Sequence, residues 1–402
     1  MVPPSVSSPV AAFNGFAQRV ASELEARPAR VPVVLGGCGS GRTTMLRQLQ
    51  RHYGERACQY IDVERTATTP ERFHLAIVAA SPFTSTGSNA TPAAPREAYD
   101  LTLAFLATAR NADGRPAMFL LDEAFELRTF ASFPGLRHAV QEFLNSLATT
   151  GNRVVLASRY ETRAARFLEG RPHPFVPLLA PGLTTDEIGE LLRSVTPDPR
   201  DGAGATLDEG GLRELATVVR LLSDGRPAYA DAMATTMREM RADGGGDPVS
   251  ALAALLSPGG RLARQCEHSY EIRLHRARGY GALKAILDVL SEAEALTLTE
   301  VSQRLHRTPG STKDYLSWLE DVDLIAASQK RYHFRDPLLR LWVRLYCHPM
   351  PPSDELVAQE VRRHALQRLL SPSPRERSGT GNDRPPLPSD RADRSGDPVG
   401  ST

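Results

Sequence analysis

The apolar run Val31-Pro-Val-Val-Leu35 leads straight into Gly36-Gly-Cys-Gly-Ser-Gly41-Arg42-Thr43. An apolar run ending in glycines reads as a buried strand followed by a tight turn. Thr43 to His52 follows with helical spacing. Strand, glycine loop and helix, with the spacing GxxxxG[KR]T, are the context a phosphate-binding loop requires. Glycines let backbone N–H groups curl around an anion without Cβ clashes, and the helix N-terminus adds its dipole. Gly36, Gly37, Cys38, Gly39, Ser40, Gly41, Arg42, Thr43 and Thr44 are therefore the candidate ATP cradle. Thr43 carries the hydroxyl expected on Mg²⁺. Arg42 stands where Lys is usual, and guanidinium is larger, planar and two-pronged, so the change is not conservative. Only three of the 48 Lys+Arg residues are lysines (Lys284, Lys313, Lys330). That bias makes drift from Lys plausible, and slow hydrolysis is the competing explanation. The plain alternative is a glycine-rich turn that binds nothing.

Further along, Met118-Phe-Leu-Leu-Asp122-Glu123 is an apolar strand ending in two carboxylates, the Walker B pattern. Asp122 is the candidate metal ligand beside Thr43, and Glu123 the group that polarises the attacking water. Alone, acidic residues at a strand end mean little; after a phosphate-binding loop they complete a site. With Glu123 and Arg42, Ser158 is the third candidate catalytic residue, at the tip of the strand Arg153–Ser158. An ordinary strand-end serine is the alternative. Ser223-Asp-Gly225-Arg226-Pro227 opens a helix from which Arg226 can reach back to phosphates; otherwise it is an exposed arginine at a turn. Arg166 or Arg171 is a candidate arginine finger acting on a neighbouring subunit of a homo-oligomer, against a solvated basic helix.

Strands at 31–35, 57–62, 117–121, 153–158 and 175–179 alternate with helical segments, which predicts a parallel α/β sheet with both faces covered. At 402 residues the chain has room for two or three domains. The reading divides it into a loose leader (1–12), a phosphate-loop core (13–183), a helical lid with a connecting helix (184–279), a winged-helix unit with a closing helix (280–347) and a tail (348–402). The tail is expected to be disordered from about 371, where Pro, Ser, Gly and charge replace large apolar residues. A low-complexity loop is expected over 81–97. A formal net charge of +1 gives no global field toward nucleic acid or acidic lipid, so any nucleic-acid role must rest on a local patch. Four scattered cysteines form no CxxC pair, which argues against a disulfide framework or common zinc spacing. No apolar run reaches membrane length, and the first residues lack a basic and apolar signal pattern, so a cytoplasmic protein is expected.

Three segments, GGCGSGRTTMLRQL (36–49), YIDVERT (60–66) and YHFRDPLLRLWVRLY (332–346), carry a resemblance. Over about residues 13–347 the chain resembles the archaeal-type ATP-binding proteins of the AAA+/STAND class of P-loop ATPases. The resemblance implies an ATP-binding core, a helical lid and a C-terminal winged helix. Residue spacing supports the last by itself: helices over 281–290, 297–305 and 311–319 precede a hairpin of 324–327 with 332–334. In a reading with double-stranded DNA as partner, Ser311, Thr312, Lys313 and Ser317 face the duplex, and Lys330, Arg331 and Arg335 meet phosphates. In the alternative the unit packs against protein, and Glu320, Asp321 and Asp323 dilute its positive field. The closing helix, capped by Asp336 and entered at Pro337, is expected to set Leu338, Leu341, Trp342 and Leu345 against the winged helix. Two functions compete. One is a Mg²⁺-dependent ATPase used as a nucleotide-controlled switch, coupled to DNA through the winged helix. The other is a nucleotide-binding regulator or scaffold with negligible hydrolysis because of Arg42. A partner-sensing signalling ATPase ranks last, since no repeat array offers a sensor.

Overall fold

The computed structural model describes residues 14–84, 92–171, 173–195, 208–242, 246–275 and 279–370. The leader expected over 1–12, the disordered end expected from 371 and the centre of the 81–97 loop lie outside the described residues. Five strands, β1 (Val31–Leu35), β2 (Cys58–Asp62), β3 (Met118–Asp122), β4 (Arg153–Ser158) and β5 (Phe175–Leu179), form one sheet in the order β2-β3-β4-β1-β5. Every pairing is parallel. The chain is thus the expected α/β protein with a parallel-sheet core.

Strand alternation explains how this sheet carries two cores. Val34, Met118, Leu120, Val155 and Ala157 face one cluster, while Val33, Leu35, Phe119, Leu121, Val154 and Leu156 face the other. Both faces are covered by helices, as a parallel sheet requires. β1 tolerates Pro32 because its ladder to β4 begins only at Val33. The C-terminal tips of β1, β3 and β4 lie side by side, since Leu35 is in register with Ser158 and Leu121 with Leu156. That juxtaposition puts the glycine loop, Asp122-Glu123 and Ser158-Arg159 at one end of the sheet.

Helices Thr185–Val195, Glu209–Ser223, Pro227–Ala242 and Pro248–Leu256 follow the sheet, and Arg261–His275 leads to the last unit. There, helices Tyr280–Glu292, Leu298–Arg304 and Pro309–Asp321 surround a small antiparallel sheet, β6 (Leu296–Thr297), β7 (Ile325–Ser328) and β8 (Arg331–Phe334), ordered β6-β8-β7. The β7–β8 turn is the two-residue Gln329-Lys330, with φ of +52° and +63°, the backbone of a primed hairpin turn. Thr297 and Glu300 form a reciprocal capping box on Leu298–Arg304.

Two expectations need correction. Residues 348–370 do not simply begin a tail: Asp354–Leu370 is a helix whose Val357, Val361 and Ala365 are buried in the same cluster as Leu191, Val219, Leu222 and Leu252. Arg368 pins it by donating to the Leu221 carbonyl at 3.0 Å and pairing with Asp224 at 2.6 Å. The closing helix Pro337–Tyr346 is also apolar on two sides. Leu338, Leu341 and Leu345 enter the cluster shared with the preceding helices, whereas Leu339, Trp342 and Val343 enter the core of the last unit. Among the described residues, no helix is long and apolar enough to cross a membrane.

Candidate functional site

The glycine loop bends because its glycines occupy backbone space closed to other residues. Gly39 and Gly41 have φ of +78° and +81°. A Cβ on Gly36 would stand 2.7 Å from Ser40 Oγ, so the loop closes tightly on itself. Helix Arg42–Tyr53 starts immediately after, with Gly41 as its cap. The loop then meets the tip of β3 through two side-chain pairs. Thr43 Oγ1 donates to Asp122 Oδ2 at 2.6 Å. Arg42, 7% exposed, donates from both Nη1 and Nη2 to Glu123 Oε1 at 3.0 Å, and its Nε lies 3.3 Å from Ser40 Oγ.

Glu123 sits at φ +51°, a left-handed conformation that a side-chain-bearing residue adopts at a cost of about 1 kcal/mol. Its N–H donates to Asp122 Oδ1 at 3.1 Å. The carboxylate also accepts the Arg159 backbone N–H on Oε2 at 3.1 Å and faces Arg159 Nε across 2.9 Å on Oε1. Burial works to raise the pKa of this carboxyl, but Arg42 and Arg159 prevail and hold it below the usual carboxylate range. Arg159 is anchored on its far side by Glu64, from the short helix Val63–Thr66 that Asp62 caps. Tyr60 donates to Asp122 Oδ2 at 3.0 Å, and Arg47 lies over its ring at 3.5 Å. Burial, reinforced by Asp122, raises the pKa of Tyr60, so its hydroxyl stays a donor.

Arg226 does approach the loop. Its Nη1 donates to the Cys38 carbonyl at 2.9 Å, its Nη2 donates to the Arg335 carbonyl at 3.1 Å, and Nη1 lies 3.3 Å from Asp336 Oδ2. Its Nε is buried without a hydrogen-bond partner among the described residues. Arg273 adds a second link, donating to Cys38 Sγ at 3.3 Å and to the Asp323 carbonyl at 2.9 Å. Burial would raise the Cys38 pKa, but Arg273 and its neighbours outweigh it and lower the value.

Several expected roles meet geometry that commits the side chain elsewhere. Ser158 is buried, and its hydroxyl closes its own turn by accepting the Tyr160 N–H at 3.1 Å. Its neighbour Arg159 makes the contact to Glu123 instead. Arg166 pairs with Asp321 at 2.6 Å and Arg171 donates to Asn145, so both finger candidates are engaged within the chain. Thr312 is fully buried and donates to the Thr308 carbonyl at 2.9 Å, which removes it from a duplex-facing surface. Arg331 donates to the Ala295 carbonyl at 2.6 Å, and Arg335 pairs with Glu161 at 2.7 Å and Asp323 at 3.2 Å. Lys313, Ser317 and Lys330 are exposed, and Ser311 is half-buried. Tyr60 and Glu64 are not singled out by the sequence as site residues, and Arg159 stands out there only as one of the arginines after Ser158 that could include a finger. Their signal was position: Tyr60 and Glu64 bracket the end of β2, which lies beside β3, and Arg159 follows β4.

The oxygen atoms of Thr43 and Asp122 suit a Mg²⁺ ion, which binds through one or two protein oxygens together with water and phosphate. The glycine loop, the helix start behind it and the Arg226 guanidinium, which touches the loop, suit the phosphates.

No family model and no curated protein matches the sequence. Among solved structures, the chain is similar to the Walker-type ATPase paby2304 of Pyrococcus abyssi, with a TM-score of 0.59 at 16% identity over 83% of this chain and 95% of that one. At that identity the likeness is one of fold. The Aeropyrum pernix ORC1 protein in complex with DNA aligns over 89% of this chain and 93% of its own at 15% identity, with a TM-score of 0.39. A Thermotoga maritima RuvB mutant aligns over 79% and 90% at 12% identity, also with a TM-score of 0.39.

Proposed function

We propose that this chain is a Mg²⁺-dependent ATP-binding protein that hydrolyses ATP and serves as a nucleotide-controlled switch. One observation carries the reading: the glycine loop places Thr43 on Asp122 and Arg42 on Glu123, joining a metal-holding pair and a base at the tip of the sheet. Backbone amides of 36–44 and the helix start hold the phosphates. Arg42 and Arg226 neutralise their charge. Thr43 and Asp122 would hold Mg²⁺, which when bound would draw charge from the phosphate oxygens. Glu123, kept ionised by its arginine neighbours, accepts the proton of the attacking water.

The switch reading draws on Arg226, whose guanidinium touches the loop and the start of the closing helix at once. A phosphate that recruits Arg226 competes with Asp336, so nucleotide and the last unit share one side chain. The three helices and hairpin over 280–334 support a winged helix of the archaeal-type STAND class. For a DNA contact, Lys313, Ser317, Lys330 and Arg331 are the candidates with exposed side chains, with Asp314 exposed among them and Ser311 half-buried.

A second reading, a nucleotide-holding regulator with negligible turnover, is favoured by the Arg42–Glu123 pair, which occupies both charged groups. Steady-state ATP turnover with Mg²⁺ separates the two. If the ATPase reading holds, Glu123→Gln lowers turnover by roughly 10²–10⁴-fold and still binds ATP. Tight binding with no turnover in the wild type selects the regulator; no binding at all removes both.

A further inference from the structure

The Arg42 guanidinium lies where a loop cation should be free for phosphate, yet one N–H of each amino group, the pair that forms its fork, is taken by one oxygen of Glu123 at 3.0 Å. The two side chains are 7% exposed each, so the pair is shielded from water and its attraction is little screened. A guanidinium presents a fixed fork, and the same two N–H groups cannot serve a carboxylate and a phosphate together. Glu123, however, does not depend on Arg42 alone. It keeps the Arg159 backbone N–H at 3.1 Å on Oε2 and the Arg159 Nε at 2.9 Å, and Glu64 holds Arg159 from the other side. Losing Arg42 therefore leaves the carboxylate paired, which keeps the exchange from stranding a buried charge.

We propose that Arg42 and Glu123 form a latch opened by the terminal phosphates of a nucleoside di- or triphosphate: the phosphates take the Arg42 fork, and Glu123 stays behind on Arg159 with the side of Oε1 that Arg42 had held open toward a water. This rests on the nucleotide reading above and adds to it a competition built into the resting site. Ligand and base exchange partners on one guanidinium, so the base is released only when terminal phosphates have arrived. A ligand without terminal phosphates leaves the latch shut, because a side chain at this loop position reaches the β- and γ-phosphates.

The latch is read by binding, with no need for turnover. Calorimetric titration of wild type, Glu123→Gln, Arg42→Gln and the double variant uses Mg²⁺ with β,γ-imido-ATP, and AMP as control. Removing the competing charge in Glu123→Gln tightens the imido-ATP affinity about tenfold and leaves AMP unmoved. On the Arg42→Gln background the same change gives less than twofold. If Arg42→Gln does not fold, Arg42→Lys replaces it; that variant keeps the charge but not the fork, and the gain shrinks to about threefold. A tenfold gain that persists without Arg42 is ordinary charge repulsion and overturns the latch, as does no gain at all or an equal gain for AMP. Binding by the wild type without this coupling sinks the latch and spares the nucleotide reading. Binding by none of the variants sinks both.

Discussion

Glu123 keeps its charge in a buried place because two arginines and a backbone N–H surround it. Its pKa is lower in the folded chain than in the unfolded one. The stability it contributes is therefore fully present above the unfolded value and lost as pH falls through the folded one, below the ordinary carboxyl pKa of 4.5. Removing Arg42 deletes its charge-assisted hydrogen bonds to Glu123 but leaves the carboxylate on Arg159, so Arg42→Ala should cost about 1.5–3 kcal/mol in chemical denaturation. A cost under about 0.5 kcal/mol would mean that the pair is not desolvated in solution. Tyr60 offers a finer test on the metal side. Tyr60→Phe keeps the ring beneath Arg47 and deletes the 3.0 Å hydrogen bond to Asp122. A group that orients a metal ligand is worth roughly 10–100-fold in metal affinity. The Mg²⁺ concentration for half-maximal ATP binding should then rise about tenfold, and an unchanged midpoint would remove Tyr60 from that role. The candidate cradle and both carboxylates were legible in sequence because each follows a strand whose end had to meet the others. Arg159 was not, because Ser158 and Arg159 both stand at the strand end, and only the turn decides which side chain faces β3.

Helix Asp354–Leu370 shows why the rest of the fold was harder to read. Its buried residues Val357, Val361 and Ala365 make a narrow stripe, and Glu360 and His364 are buried beside it. Polar residues on the inner side hide the helical period that an apolar stripe would display. His364 makes the docking pH-sensitive. Burial, with Arg368 and Arg340 nearby, pushes its pKa down to about 4 from the ordinary imidazole value of 6.5. The unfolded chain therefore binds the proton first as pH falls. The contribution is complete above pH 6.5 and is lost between pH 6.5 and about 4, by about 3 kcal/mol. Thermal unfolding at pH 7 and pH 5 should show a smaller drop in His364→Gln than in wild type, and equal drops would assign the acid sensitivity elsewhere. The other short elements escaped for local reasons. Pro70–Ala79 carries a readable start, with Thr69 accepting the Arg72 N–H at 3.3 Å and Pro70 in the first turn. The nine-residue 3₁₀ helix Ala124–Ser132 has no comparable sequence signature. The closing helix was legible as a helix, but its two apolar sides could not say which neighbour each one meets.

At the scale of the molecule, the last unit is held to the sheet domain by charge as much as by packing. Thr162 Oγ1 donates to Asp323 Oδ1 at 2.6 Å, Arg163 and Arg166 pair with Asp321 at 3.1 and 2.6 Å, and Arg335 reaches Glu161 at 2.7 Å. These contacts run between helix Glu161–Leu168, just after β4, and two places in the last unit, the end of helix Pro309–Asp321 and Arg335 just after β8. The same unit supplies Asp336, which caps the closing helix through the Leu338 and Leu339 amides, accepts the Tyr229 hydroxyl at 2.8 Å and faces Arg226. Arg226 in turn holds the Cys38 carbonyl. Docking and the glycine loop are thus joined through Arg226, beside the Arg273 link between Cys38 and the Asp323 carbonyl, and linkage makes the coupling reciprocal. If docking keeps Arg226 on Asp336, undocking frees it for phosphate and tightens nucleotide. The double substitution Asp321→Ala with Asp323→Ala removes the docking acids without touching the loop. It should speed hydrogen exchange in 161–168 and 309–321 and, at a coupling of about 1–3 kcal/mol, tighten imido-ATP by about tenfold. Faster exchange with unchanged affinity would leave the contact as architecture alone. Unchanged exchange would mean that the apolar face, where Tyr160 joins the core of the last unit, holds the two parts together without the ion pairs.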